Sequence, residues 1–342
     1  MANAGRFTAG TLAAAVLFGS AAGAVEVKPS GLVYAQYAYE TSPYNSAGVP
    51  GRDRSEFGVT RIYATLDAKA SDDWRGRVIL EGNTTTAGNA VWLKHAFIEA
   101  VNVWPDGNVS FGMTPATWNG FEEEIWARRY VAKVLTDQEG VLYSVDRGMA
   151  ASGKLPGGYG SFRAGVFNGE GMLAPEQQGT GGRGKDGSAR LSLTPEPIVP
   201  ALAGVRVHGF AQIGKTATGS GHARSRYLAG ASWEGGFGML AGNWLWAKTG
   251  TASGVGYVKT QGASAYGAVN LPAKSAVFAR CDWYNPSTGI PGDARERIWV
   301  GIERTFADGV RIALDNLHIR QQKTTGSRKH ENEVQLEAEL KF

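Results

Sequence analysis

The C-terminal segment 331–342 alternates apolar and polar residues with a strict period of two. One face carries Val334, Leu336, Ala338, Leu340 and Phe342, and the other carries Glu333, Gln335, Glu337, Glu339 and Lys341. Because successive side chains of a β-strand point to opposite faces, this pattern predicts a strand with one apolar and one charged face. Such a strand places its apolar face against lipid or against a buried core.

Segments of the same kind recur along the chain, and their repetition discriminates between these two environments. The predicted strands span 31–39, 56–69, 73–82, 90–102, 107–114, 147–155, 160–168, 187–194, 204–213, 224–233, 237–247, 261–270, 274–283, 294–305, 309–321 and 330–342. Beyond residue 24, no apolar stretch approaches the ~20 residues that a transmembrane helix needs. A sheet that spans a bilayer has to be closed, because every backbone polar group needs a partner there. The sequence therefore predicts an all-β fold, a transmembrane antiparallel β-barrel of about sixteen strands, an even number as in bacterial barrels.

The connections between these segments fall into two classes that alternate along the chain. The short class consists of 71–73, 104–106, 156–158, 234–236, 271–273 and 307–308, with the proline-rich 194–203 as its longer member. The long class consists of 40–55, 83–89, 115–146, 168–186, 215–223, 248–260, 284–293 and 322–329. Short turns at one end and long loops at the other are typical of outer-membrane barrels, whereas a soluble sandwich has no reason to alternate in this way.

The N-terminal segment 1–24 has the features of a secretory signal peptide. Arg6 precedes an apolar run over 11–18, and small residues follow over 21–24. This run is too short to span a bilayer, so we interpret it as a cleaved signal rather than as a membrane anchor, the alternative. The predicted organisation is a signal peptide over 1–24 and a barrel domain over 25–342, located in the bacterial outer membrane.

The longest connection, 115–146, is expected to carry its own secondary structure. Its centre has apolar residues at helical spacing, Phe121, Ile125 and Val131. A barrel of this size has a lumen that is wide enough to need narrowing, so we predict that this third long loop folds inward and forms a constriction. The alternative is a mobile surface loop. The charged residues that would lie at the constriction are Glu122, Glu123, Glu124, Arg128, Arg129 and Lys133.

Strand parity assigns basic side chains to the lumen. On 56–69, for example, Ile62 and Leu66 would face lipid, which turns Arg61 inward. The pore-lining candidates are Arg61, Arg75, Arg77, Arg163, Arg190, Arg206, Arg226, Arg280, Arg295, Arg297 and Arg311. Rings of arginine favour anions, and guanidinium matches phosphate oxygens two at a time. Alternatively, these arginines pair with carboxylates such as Asp67, Glu81 and Glu303, which would leave a transverse field and weak selectivity.

An enzyme is not indicated by the sequence. The five histidines lie on separate strands or loops, and none stands in a motif with a nucleophile or at metal-ligand spacing. We therefore predict no catalytic residues, no metal and no cofactor. The lone Cys281 excludes an intramolecular disulfide, and a net charge of +4 is too mild to indicate nucleic-acid binding.

Residues 56–171 contain a series of short motifs: the run 66–74, Leu-Lys-His-Ala-Phe at 93–97, Phe-Gly-Met-Thr-Pro at 111–115, Asp-Arg-Gly at 146–148 and Gly-Val-Phe-Asn-Gly-Glu-Gly at 165–171. In these motifs and their order, the segment resembles the phosphate-selective porins of bacterial outer membranes. The resemblance implies a sixteen-stranded, trimeric channel with inward arginines and an infolded third loop that passes phosphate or other anions. The three successive glutamates at 122–124 depart from this pattern.

The leading hypothesis is a porin, a passive diffusion channel for small hydrophilic solutes with a preference for anions such as phosphate. Its expected partners are outer-membrane lipid, small anionic solutes, two further copies in a homotrimer, and the barrel-assembly machinery, which would read the C-terminal strand ending in Phe342. The alternatives are a porin of the same architecture without marked anion selectivity, a structural or adhesive barrel with a plugged pore, and a barrel hydrolase.

Overall fold

A computed structural model describes residues 25–41, 54–85, 88–172, 184–215, 222–251, 256–322 and 328–342. These residues form sixteen strands: β1 Glu26–Glu40, β2 Ser55–Lys69, β3 Trp74–Thr85, β4 Gly88–Trp104, β5 Gly107–Pro115, β6 Val145–Leu155, β7 Gly160–Phe167, β8 Asp186–Leu193, β9 Val205–Lys215, β10 Ala223–Gly235, β11 Gly238–Gly250, β12 Tyr257–Leu271, β13 Ser275–Asn285, β14 Arg295–Ala307, β15 Val310–Gln322 and β16 Arg328–Lys341. Two short 3-10 helices occupy the turns at Pro156–Gly158 and Pro200–Leu202. The predicted signal peptide, 1–24, lies outside the described residues.

Each strand pairs antiparallel with its sequence neighbours, and β1 pairs with β16 to close the barrel. The closing register runs from Leu32 opposite Lys341 to Glu40 opposite Glu333. At the seam, the Phe342 backbone exchanges hydrogen bonds with Gly31, whose missing side chain leaves room for the Phe342 ring. The predicted sixteen-stranded antiparallel barrel is thereby confirmed.

The outer face of the barrel is an apolar belt. Phe57, Ile62, Leu240, Val300 and Leu314 all point outward and are largely exposed. A closed sheet with such a belt is the structure of a bacterial outer-membrane protein, because lipid replaces water as the solvent of the outer face.

Aromatic residues at the outer surface contribute to this belt. Trp244 and Trp246 project outward on β11, whereas Leu245 between them points inward and is fully buried. Trp283 on β13 packs beside Trp244, with the ring centroids 5.6 Å apart. This arrangement is typical of the aromatic girdles that sit at a membrane interface.

No helix within the described ranges is long and apolar enough to cross a membrane.

The strands extend beyond their predicted ends on the long-loop side. The connection predicted over 83–89 is an example, because Thr84 still pairs with Asn89 and only residues 86–87 lie outside the description. Its polar residues continue the ladder of hydrogen bonds, since a strand that leaves the lipid no longer needs an apolar face. The expectation of a long loop at this position is therefore wrong.

The third long connection enters the barrel, as predicted, and the alternative of a mobile surface loop is wrong. It contains α1 Asn119–Trp126 and α2 Leu135–Gln138, and both Trp126 and Leu135 are fully buried. The helix ends at Ala127, which adopts a left-handed backbone with φ 55°. The helical spacing predicted to reach Val131 is thus interrupted, because a single residue in this conformation reverses the chain direction.

Candidate functional site

The infolded loop, residues 116–144, packs its apolar side chains against one wall of the barrel. Trp118 contacts Phe210 on β9, with the ring centroids 5.6 Å apart. Trp126 contacts Tyr266 on β12 at 5.2 Å and Phe278 on β13 at 6.0 Å. Buried aromatic pairs of this kind each contribute about 0.5–1.5 kcal/mol beyond their area. The wall from β9 to β13 therefore carries the loop.

Hydrogen bonds and ion pairs also hold the loop against the wall. Arg128 Nη2 donates to Glu303 Oε1 on β14 at 2.6 Å, and the Tyr130 hydroxyl donates to Glu303 Oε2 at 2.6 Å. Glu139 accepts from Arg297, and Arg295 lies 3.3 Å from its second oxygen. Because these groups are mostly buried, they bind more strongly than surface pairs and fix the distance between loop and wall.

A cavity of about 1000 Å³ lies on the side of the loop that faces away from β9 to β13. The cavity lies between the loop and the wall that begins at β14 and continues through β15, β16 and β1 to β4. Arg61 and Lys94 line it from the wall, and Arg129 and Lys133 line it from the loop. This passage is the candidate constriction.

Two cations share one carboxylate on the wall of the constriction. Glu81 Oε1 lies 2.9 Å from Arg61 Nε, and Glu81 Oε2 lies 3.1 Å from Lys94 Nζ. The Tyr63 ring lies beneath both cations, 5.0 Å from the Arg61 guanidinium carbon and 4.6 Å from Lys94 Nζ, and Lys94 donates to its hydroxyl. We call Arg61, Tyr63, Glu81 and Lys94 the wall cluster. It holds one positive charge in excess.

Two β-bulges bring the cations of the wall cluster together. Thr60 is an extra residue on β2, since Tyr34 pairs with Arg61 and the next residue, Ala35, pairs with Val59. Lys94 is an extra residue on β4, since Ile79 pairs with His95 and Leu80 pairs with Leu93. A bulge re-aims the side chains beside it, and here it turns Lys94 toward the interior next to His95.

The group around Arg129 on the loop side of the constriction has the opposite charge balance. Arg129 contacts Glu123 and Asp137, with Arg129 Nη2 2.9 Å from Asp137 Oδ2. Both carboxylates act electrostatically on Arg61 across the passage. Lys133 is exposed to the same cavity and forms no ion pair with the described residues. A transverse field therefore crosses the passage, from the wall cluster to Glu123 and Asp137.

The three successive glutamates of α1 lie in three different environments. Glu122 is buried and accepts hydrogen bonds from Trp118 Nε1 at 2.6 Å and from Asn243 Nδ2 on β11 at 2.7 Å. Its burial raises its pKa to about 7. Glu123 faces the constriction, and Glu124 is exposed. The expectation that all three meet at the constriction is thus wrong, because the helix turns Glu122 toward β11.

The other candidate arginines lie on the interior side of the barrel, but most are held by local partners. The arginines beside a carboxylate are Arg206 with Glu234, Arg280 with Asp282, Arg295 and Arg297 with Glu139, and Arg311 with Glu339. Arg163 donates to Thr114 and Pro115, and Arg190 to Ser161. Arg226 is partly buried, and its Nε and Nη1 have no hydrogen-bond partner among the described residues.

Arg75 and Arg77 lie apart from the constriction. They line a second cavity of about 590 Å³ at the end with short turns, together with Ser71 and Asp72. Arg75 pairs with Glu99, and Arg77 Nη2 lies 3.0 Å from Asp67 Oδ2. Of the eleven arginine candidates, only Arg61 belongs to the wall cluster.

Lys94 is the constriction residue that the sequence-based assignment missed. The signal was a break in parity on β4, where the outward residues change from Val91 and Leu93 to Ala96 and Ile98. The two polar residues in between, Lys94 and His95, mark the bulge.

In the part of the chain that the structure describes, no three His, Cys, Asp or Glu side chains are grouped so that they could hold a metal ion.

The fold is similar to that of several solved outer-membrane proteins. The anion-selective porin from Comamonas acidovorans matches at 14% identity with a TM-score of 0.68, over 93% of this chain and 100% of that chain. The trimer form of OmpT, an outer-membrane protein of Vibrio cholerae, matches at 12% identity with a TM-score of 0.62, over 93% and 100%. The outer-membrane channel DcaP of Acinetobacter baumannii matches at 12% identity with a TM-score of 0.60, over 95% and 99%. No family model matches the sequence, and no curated protein matches it.

Proposed function

We propose that this chain is a passive diffusion channel of the outer membrane for small hydrophilic solutes, with a preference for small anions such as phosphate. The observation that carries the preference is the wall cluster, where Arg61 and Lys94 share the single carboxylate of Glu81. A charge in a narrow passage with low-dielectric walls acts strongly on a passing ion, because field lines are focused there. The similarity to an anion-selective porin supports the same direction.

The loop side sets a limit on this preference. Arg129 stands against Glu123 and Asp137, so the loop face of the passage opposes the wall cluster. Arg295 and Arg297 on β14, beside Glu139, and Lys133 on the loop add positive charge to the same cavity. We therefore expect a moderate anion preference rather than strict phosphate specificity.

The reversal potential of the purified channel in a planar bilayer under a potassium chloride gradient tests the proposal. A potential of the anion-selective sign is expected, and it should move toward cation selectivity in Lys94→Met. Arg77→Met is the matched control, because it also removes one interior cation but lies outside the constriction. Cation selectivity of the unmodified channel would exclude the anion preference. A folded barrel without conductance would instead favour the structural or adhesive alternative.

The assembly belongs to the same proposal. We expect export through the signal peptide 1–24 and insertion by the barrel-assembly machinery through the strand that ends in Phe342. A homotrimer is expected, in line with the trimer form of one protein of similar fold. We propose no enzymatic activity and no resident metal or cofactor. Cross-linking of the purified protein in mild detergent measures the number of copies.

A further inference from the structure

The wall formed by β15, β16 and β1 carries a set of buried hydrogen-bond acceptors. We define the acceptor wall as Glu40, Asp315, Glu333, Gln335 and Glu337, all of which are at least nine-tenths buried on the interior side. Asp315 stands directly opposite Gln335 in the register, and Glu333 stands directly opposite Glu40. Like charges that face each other across two strands are unfavourable unless something lies between them.

Several oxygens of the acceptor wall have no partner. Both carboxylate oxygens of Asp315 and of Glu40, together with Glu337 Oε2, are buried without a hydrogen bond from any described residue. Gln335 also has an unpartnered oxygen within the described part of the chain. Because this oxygen belongs to an amide, the lack of a donor does not depend on the charge of a carboxylate. Gln335 Nε2 donates to Glu333 Oε2 at 2.9 Å, whereas its Oε1 is buried and accepts nothing from the described residues. The unpartnered groups are all acceptors.

The donors that the described residues place around the acceptor wall are too few to satisfy it. Gln36 Nε2 donates to Glu337 Oε1 at 2.6 Å, and Arg54 Nη1 lies 3.0 Å from Glu333 Oε2. Arg311, the nearest arginine on β15, is held by Glu339 at 2.7 Å.

The other neighbours of Asp315 supply no donor from their side chains. Ala313 and Leu317 flank it on β15, and Gly301 lies beside it on β14. Gly301 has the space of its missing side chain filled by Asp315, since a Cβ there would lie 2.5 Å from the Asp315 Cβ. An unpaired buried carboxylate costs several kcal/mol, so the site favours either a proton or a ligand with donors.

The acceptor wall is open to solutes. Glu333, Gln335 and Glu337 line the cavity of about 1000 Å³ beside the infolded loop. The same cavity is lined by Arg61 and Lys94 of the wall cluster, so one passage has an acceptor-rich side and a cationic side. A ligand that enters the constriction therefore reaches Glu333, Gln335 and Glu337, whereas Asp315 and Glu40 do not line the cavity.

We propose that the acceptor wall binds the ammonium group of a small organic amine. A primary ammonium supplies both the charge and three N–H donors, which match acceptors that are spread over three strands. A metal ion fits less well, because the described residues hold no group of His, Cys, Asp or Glu arranged for one. The binding goes beyond the proposed anion preference, and it gives the passage a subsite for the cationic end of a solute.

Calorimetric titration of the detergent-solubilised protein with 1,3-diaminopropane tests this proposal without relying on conductance. Binding is expected to be stronger at pH 9 than at pH 7, because protons compete with the ammonium group for the same oxygens. Tetramethylammonium is the matched probe, since it carries a charge but no N–H donor, and it should bind at least about tenfold more weakly. In planar bilayers the diamine should also reduce the chloride current of the open channel.

Carboxamide variants locate the site. Asp315→Asn and Glu337→Gln keep the side-chain volume and should each weaken diamine binding about tenfold. Glu99→Gln is the control, because it removes an interior carboxylate that pairs with Arg75 outside the constriction, and it should leave binding unchanged. Heat-modifiable migration shows that each variant is folded.

Three results would overturn the proposal: equal binding of both probes, unchanged binding in both acceptor-wall variants, or no diamine binding at either pH. The reversal potential measured without amine decides the anion preference separately. If one of the two proposals fails, the other can therefore still be tested.

Discussion

Arg128 on the infolded loop and Glu303 on β14 form an ion pair of 2.6 Å, and both side chains are largely buried. The second oxygen of Glu303 accepts from the Tyr130 hydroxyl at 2.6 Å. One wall carboxylate therefore holds two loop residues on either side of Arg129, which faces the constriction. The position of Arg129 at the passage therefore depends on the position of Glu303 in the wall.

Loss of Arg128 is expected to release the loop without unfolding the barrel. In Arg128→Met the stem still packs beside Trp126, but Glu303 is left as a buried charge whose remaining hydrogen bond from the described residues comes from Tyr130. Breaking a buried pair in this way costs about 3–5 kcal/mol, and the cost falls on loop docking because the strand ladder is unchanged. Single-channel recordings should show larger and noisier currents than those of the unmodified protein.

Arg206→Met provides the comparison for this experiment. The comparison variant loses the pair of Arg206 with Glu234, which is more exposed and lies at the end with short turns. Exposed pairs contribute about 0–1 kcal/mol, so the current noise should not change. Equal noise in the two variants would contradict a specific role of Arg128 in loop docking.

Loop docking is also expected to depend on pH through Glu122. Burial raises the pKa of this carboxyl from 4.5 to about 7, although Arg280 and two hydrogen bonds act in the opposite direction. Because the pKa of Glu122 is higher in the docked loop than in the released loop, docking takes up a proton between pH 4.5 and about 7. The docked state is therefore favoured most below pH 4.5. Its advantage falls as the pH rises to about 7 and is constant above that value.

Voltage-induced closure measures this dependence. Between pH 5 and pH 8 the voltage that closes the unmodified channel should shift, and in Glu122→Gln the shift should be much smaller because the titrating group is gone. Glu124→Gln is the comparison variant on the same helix: burial also raises the pKa of Glu124, but this side chain is exposed, so the shift should stay larger in Glu124→Gln than in Glu122→Gln. A shift of the same size in Glu122→Gln would assign the pH dependence to another group.

The regular part of the barrel is predictable from the sequence because it depends on local alternation. On β16, parity alone turns Glu333, Glu337 and Glu339 inward and Leu336 outward, and the structure has them so. Lipid on one side and water on the other impose this alternation on every strand. Strand ends were less predictable, since beyond the lipid both faces are solvated and the pattern fades.

The constriction could be predicted only in part, because it depends on interruptions of that alternation and on distant contacts. The bulges at Thr60 and Lys94 shift the side chains by one residue, and a strict period of two misses them. The partner of Arg128 is 175 residues away in the chain. Nothing in the local sequence of α1 shows that Glu122 faces β11 whereas Glu124 is exposed, since this depends on how the loop packs against the wall.

The position of the loop in the lumen can be measured by cysteine labelling. Lys133→Cys, made in a Cys281→Ser background, should react with a negatively charged methanethiosulfonate reagent added in water, because Lys133 is exposed to the main cavity. The substitution removes one positive charge and the reaction then adds a negative one, so the anion preference should fall at each step. The native Cys281 points outward from β13 into the apolar belt and should stay unmodified in membranes. Rapid modification of Cys281 together with an unreactive Lys133→Cys would contradict this arrangement.

The charge balance of the wall cluster leads to two substitutions with opposite effects. In Glu81→Gln, Arg61 and Lys94 lose the carboxylate that lies 2.9 Å and 3.1 Å from them, so the passage gains a positive charge. Lys94→Met removes one instead. A unit charge at about 4 Å is worth ~1 kcal/mol in water and more in a narrow passage, which corresponds to about a fivefold change in the ratio of chloride to potassium permeability. Reversal potentials should therefore move in opposite directions from the unmodified value.

Glu81→Gln should also lower the thermal stability, because two buried cations then repel each other, whereas Lys94→Met should lower it less because Arg61 keeps its partner. If both variants shifted the potential in the same direction, the wall cluster would not control the selectivity.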